Sequence, residues 1–159
     1  MSVSGPISHI DLSVADPGRS IPFYTALLEG VGFLRWRGDE PWFAGDSPER
    51  ASWFLRYENG AIFGIEVRPS SGEHRERRAD RYAPGLHHLA FHAESRAIVD
   101  RVYKRVVAAG GEVLDAPADY SGQTGYGEGY YAAFFADPDG VKYEVVFLLQ
   151  TNPVAVENT

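Results

Sequence analysis

Apolar and polar residues alternate in two short stretches of this chain. In ISHIDLSVA, residues 7–15, Ile10, Leu12 and Val14 fall on one face of an extended strand and His9, Asp11 and Ser13 on the other. In GLHHLAFHA, residues 85–93, Leu89, Phe91 and Ala93 share one face, and His88, Ala90 and His92 the other. By the same count His87 falls on the apolar face. After each strand the period lengthens to that of a helix. DPGRSIPFYTALLEGVGF predicts one capped by Asp16 or Ser20, with Pro17 or Pro22 in its first turn and Gly30 and Gly32 at its end. ESRAIVDRVYKRVVAAGG predicts another. Its apolar stripe is Ile98, Val99, Val102, Tyr103, Val106 and Val107, with Ser95 as N-cap and Gly110-Gly111 as stop.

Strand-like runs come next in both halves. ASWFLRYENGAIFGIEVRP turns at Asn59-Gly60, and GYYAAFFADPDGVKYEVVF turns at Asp137-Pro138-Asp139-Gly140. Each half therefore reads β, α, then strands ending in a hairpin, close to βαβββ. The class predicted is α+β. One domain over 1–149 is built of modules 7–68 and 85–149. Residues 69–84 read as a solvated linker, with Arg75, Arg77, Arg78 and Arg81 as surface charge and His74 exposed. Residues 150–159 read as a tail.

The repeat extends to polar positions. Each final strand carries one carboxylate inside an apolar run, Glu66 in AIFGIEVRP and Glu144 in GVKYEVVF. His9 and Glu66 are 57 positions apart; His88 and Glu144 are 56 apart. A duplicated fold alone need not reproduce such a residue, and a carboxylate in an apolar strand is costly unless something pairs it. Two imidazoles and two carboxylates related by a pseudo-twofold could surround one divalent cation, which would compensate both acids.

Composition narrows the chemistry. The 159 residues include no cysteine, so disulfides, thiolate nucleophiles and Cys-ligated metals are excluded. A net charge of −7 argues against a nucleic-acid surface or a polybasic membrane anchor. No apolar run approaches the ~20 residues of a membrane-spanning helix, and MSVSGPISHI lacks the marks of a signal peptide. A soluble, cytoplasmic protein is the expectation. The loop PADYSGQTGYGEG, residues 117–129, has no phosphate-loop ending. It reads either as a cover with Tyr120 or Tyr126 against a substrate or as an ordinary surface loop. Phe23, Tyr24, Trp36, Trp42, Trp53, Phe54 and Phe63 read as core or pocket wall.

The stretches HIDLSVADPGRSIPFY, GLHHLAFHA and YYAAFFADPDGVKYEVV resemble the vicinal oxygen chelate superfamily. It includes glyoxalase I, methylmalonyl-CoA epimerase, fosfomycin-resistance proteins, extradiol dioxygenases and bleomycin-binding proteins. The resemblance implies paired βαβββ modules whose mixed sheets curl into a cup around a metal. Ligands come from the first and last strands of each module. The matching positions are His9, Glu66, His88 and Glu144, a set most similar to glyoxalase I-type enzymes. The resemblance further implies a metal-dependent lyase or isomerase acting on a small substrate with adjacent oxygens through a metal-stabilised enediolate. The metal would be Ni, Zn, Co, Mn or Fe(II). Glu144 would be the base, with Glu66 the alternative. Asp11, Ser13, His92, Tyr120 and Tyr126 would line the cup. A homodimer is implied, with the site inside one chain or across two by exchange of modules. Two other activities fit the same superfamily: non-catalytic binding of a drug or metabolite, and Fe(II)-dependent ring cleavage of the extradiol type.

Overall fold

Each alternating stretch becomes the first strand of its own sheet. The computed structural model describes residues 7–38, 47–57 and 60–149. The first module runs β1 (His9–Val14), α1 (Pro17–Gly30), β2 (Leu34–Arg35), β3 (Ala51–Arg56) and β4 (Ile62–Pro69). The second runs β5 (Leu89–His92), α2 (Arg96–Ala108), β6 (Glu112–Asp119), β7 (Tyr131–Ala136) and β8 (Lys142–Phe147). The sheets have matching orders, β1-β4-β3-β2 and β5-β8-β7-β6. In each, the first strand pairs parallel with the last, and the remaining ladders are antiparallel. The architecture is the α+β pair of mixed sheets expected from the sequence.

The helix ends are set by local chemistry. Asp16 caps α1, its Oδ1 accepting from the Gly18 amide at 2.9 Å, and Pro17 fills the first turn, where a missing N–H costs nothing. Ser95 caps α2 through the Ile98 amide. Two readings of the pattern are corrected. Val107 is 44% exposed, so the α2 stripe is narrower than periodicity suggested. His87 is exposed, because β5 starts only at Leu89 and the alternation does not reach back to it. Residues 69–84 are largely exposed but contain a 3-10 turn at Gly72–Glu76, and β4 extends to Pro69. Asn59 and Trp42 lie outside the described residues.

Both helices pack on the apolar faces of their sheets and on each other. One core results, with Val14, Phe23, Leu27, Trp53 and Val67 of the first module joined to Val99, Val102, Phe135, Tyr143 and Val145 of the second. Gly30 permits the helix contact: a Cβ there would lie 2.8 Å from a Val102 methyl. Phe23 and Tyr24 of α1 meet Tyr143 of β8, with ring centroids 5.8 Å and 5.6 Å away. The seam is sealed by hydrogen bonds. Tyr24 donates to Asp137 Oδ2 at 2.5 Å and lies 2.9 Å from the Tyr143 hydroxyl. Asp137 Oδ1 accepts from the Asp139 and Val141 amides, and Asp139 accepts from the Ala15 amide across the modules at 2.8 Å. The Asp-Pro-Asp-Gly turn is therefore also a clasp between the halves. Among the described residues no helix is long and apolar enough to cross a membrane.

Burial raises the Asp137 carboxyl above its ordinary range, outweighing the hydrogen bonds that oppose the shift. The folded state thus takes up this proton more readily than the unfolded chain. The carboxyl's contribution to stability is then largest below its unfolded pKa and is lost as pH rises through the raised value. Denaturant unfolding of the wild type and Asp137→Asn across the acid range should show the wild type gaining on the variant as pH falls. Asp137→Ala, which strands three donors, should lose about 3 kcal/mol at neutral pH.

Candidate metal centre

The ladders place each histidine one step from its glutamate. Asp11 pairs with Glu66, and His9 with Gly64 two residues earlier. Ala90 pairs with Glu144, and His88 lies two residues before Ala90. Two residues span roughly 7 Å along a strand, so long side chains on one face can meet diagonally. In the second module they do. His88 Nε2 lies 3.3 Å from Glu144 Oε2, and Glu144 is only 2% exposed. The other carboxylate oxygen accepts the hydroxyl of Tyr130. Burial, then the Glu144 carboxylate, push the Tyr130 phenol well above its ordinary range and keep it a donor.

The far nitrogen of His88 is also held. His87 and His88 Nδ1 atoms lie 2.7 Å apart, so one ring donates and the other accepts, according to tautomer. Desolvation, then the neighbouring His88, lower the His87 ring below its ordinary range, favouring the neutral acceptor. A His88 donating Nδ1–H to His87 presents its Nε2 lone pair toward Glu144. That is how outer hydrogen bonds orient a metal-binding imidazole.

The first module is built differently. Glu66 is 5% exposed, and its Oε1 accepts from Arg68 Nη2 at 2.7 Å. The same nitrogen donates to Asp11 Oδ2 at 2.7 Å, so Asp11 belongs to an ion-pair cluster. Ser52, the ladder partner of Glu66, has its hydroxyl 3.5 Å from Oε2. His9 is exposed and lies 3.3 Å from the Ser8 hydroxyl. Ser13 and His92 are exposed on the same faces as the histidines. Among the described residues, no three His, Asp or Glu side chains are grouped closely enough to hold one ion. Among the described residues His88 meets Glu144, and the four expected ligands are not gathered in one cluster.

The loop after β6 lies folded against the second sheet. Tyr120 donates its amide to the Tyr130 carbonyl at 2.8 Å, and Gly129 donates to the Ser121 hydroxyl at 2.8 Å. Tyr126 sits between Tyr120 and Tyr130, with ring centroids 5.2 Å and 4.7 Å away, and Tyr120 meets Phe134 edge-on. These rings form an aromatic shelf beside Glu144. Sequence reasoning missed Tyr130, Arg68 and the His87 contact. Arg68 was legible, two residues beyond Glu66 and so on the same face. Tyr130 was not, because only the fold of the loop brings its hydroxyl to β8.

The profile of the Glyoxalase/Bleomycin resistance protein/Dioxygenase superfamily matches residues 6–145. The chain belongs to that superfamily. Its members commonly bind a divalent metal, and the fold typically binds small molecules. The chain is 31% identical over 139 residues to the uncharacterized protein YqjT of Bacillus subtilis (strain 168), spanning 87% of this chain and 95% of that one. Two solved structures share the fold. One, from Bacillus halodurans, has a TM-score of 0.66 and 24% identity over 91% of this chain and 96% of its own. The other, a glyoxalase/dioxygenase from Nostoc punctiforme, has a TM-score of 0.62 and 20% identity over 92% and 97%.

Tyr130→Phe should cost about 2 kcal/mol in urea unfolding, because it strips the donor from a buried carboxylate. The double variant with Glu144→Gln should lose less than the sum of the two single changes.

Proposed function

We propose that this superfamily member is a metal-dependent enzyme of the glyoxalase type, a lyase or isomerase whose small substrate carries adjacent oxygens. One observation carries the reading. Glu144 is a buried carboxylate that faces the Nε2 of His88 and, among the described residues, has no arginine or lysine ion pair. A buried acid so placed calls for a cation. Imidazole and carboxylate donors suit Ni, Zn, Co, Mn or Fe(II). Such an ion would supply Lewis acidity toward two substrate oxygens.

The chain's own residues have separable roles in this reading. His88 and Glu144 hold one side of the ion, with His87 orienting His88. His9 and Glu66 occupy the equivalent rungs of the first module. Because the four candidates are not gathered in one cluster among the described residues, a second copy would complete the site in a homodimer, module one of each facing module two of the other. Glu144 is the base, taking a proton next to a carbonyl while Tyr130 steadies its other oxygen. Glu66, the alternative, would first have to leave Arg68. Asp11, Ser13 and His92 lie on the faces that would line the cup, with Tyr120 and Tyr126 beside them. The aromatic shelf favours a second reading, a non-catalytic protein that binds a drug or metabolite, in which His88 would be dispensable for binding.

Mass spectrometry of tag-free protein should find about one divalent cation per chain, and none in His88→Ala. Mixing His9→Ala with His88→Ala under subunit exchange should restore about a quarter of the sites. Half of the dimers are then mixed, and each regains one intact site of two. No metal after reconstitution with each ion would overturn the enzyme reading. Metal binding by His88→Ala equal to wild type would overturn the assignment of the site.

A further inference from the structure

The two modules repeat each other in backbone and in the placement of histidine and glutamate, but differ in charge around the glutamate. The ladders make the comparison position by position. Beside Glu66 on the first strand stands Asp11; beside Glu144 stands Ala90. Across from Glu66 on the neighbouring strand is Ser52; across from Glu144 is Phe134. Two residues further along the last strand, Arg68 comes after Glu66 and Val146 after Glu144. Each of these three positions is polar or charged around the first glutamate and apolar around the second.

This difference settles how each buried acid is compensated. Glu66 has an internal counterion, since Arg68 Nη2 bridges it to Asp11 with both contacts at 2.7 Å. Among the described residues Glu144 has only the neutral hydroxyl of Tyr130 and the imidazole of His88. An external cation gains most at the carboxylate without a counterion. At Glu66 it would have to displace a guanidinium, and displacement would also strand Asp11. Arg68 is about two-fifths exposed at its side chain, and its Nε is buried without a hydrogen-bond partner among the described residues.

We propose that Arg68 is a built-in counterion that withholds Glu66 from the metal, so that the cation is taken at the His88–Glu144 pair and not at Glu66. The inference rests on the metal-dependent reading above and narrows it. Arg68 is a positioning residue here. It touches Glu66 and Asp11 and acts on the site through them.

Calorimetric titration of the metal-free full-length protein with Mn²⁺, Ni²⁺ and Zn²⁺ tests this without reference to turnover. Glu66→Gln should bind within about threefold of wild type, whereas Glu144→Gln and His88→Ala should lose at least about a hundredfold. Arg68→Gln should bind about tenfold tighter, because it removes the arginine that competes with the cation for Glu66, and the Arg68→Gln/Glu66→Gln double variant should return to the wild-type value. Circular dichroism of each variant shows that the fold is kept. Glu66→Gln binding as poorly as Glu144→Gln overturns the proposal, and so does Arg68→Gln binding no tighter than wild type. Wild type that binds none of the three ions overturns the metal reading itself, a result distinct from either.

Discussion

Two carboxylates buried in the middle of apolar strands are the constraint on which this molecule turns. Neither Glu66 nor Glu144 can be left alone out of water, since an unpaired buried charge costs several kcal/mol. The fold meets the demand twice in the same place and by different means. In the first module an arginine two residues along the strand supplies the charge, and an aspartate on the next strand shares it. In the second a tyrosine arrives from a folded loop and a histidine from the neighbouring strand. Members of the superfamily commonly bind a divalent metal, and the second arrangement is the one proposed above to take it.

The seam between modules joins the two sheets through their apolar faces. The helices meet each other through Gly30 and Val102, and Tyr24 reaches across to Asp137 and Tyr143. This commits the apolar faces of both sheets to one shared core and leaves His9 and His92 exposed on the opposite faces. The same clasp gives the Asp-Pro-Asp-Gly turn a structural duty. Its first aspartate binds Tyr24 and its second binds the Ala15 amide, so the turn holds the modules in register.

Much of the architecture was legible in the chain. Alternation at 7–15 and 85–93 marked the first strands and their faces, because side chains on a strand point to opposite sides in turn. Proline, glycine and capping residues marked both helices. The repeat in spacing selected His9, Glu66, His88 and Glu144 as a set, and strand ladders then placed each histidine one step from its glutamate. Where sequence reasoning slipped, a local pattern was extended past the element that produced it. His87 lies before the strand whose alternation it was counted in, and Val107 lies on α2 but beyond the edge of the buried stripe.

What the sequence by itself determined was thus the repeat, the two sheets and the rungs on which the chemistry sits, since these arise from periodicities of two and 3.6 residues and from local turns. Tertiary structure decided the partners. Arg68 could be placed on the face of Glu66 by counting, but that its guanidinium bridges Glu66 and Asp11 depends on the parallel pairing of β1 with β4. Tyr130 meets Glu144 only because the loop folds back on β7 and β8, and Tyr24 meets Asp137 only because the modules pack through their helices. Hydrogen bonds and ion pairs between residues far apart in the chain are set by packing, which no local pattern encodes.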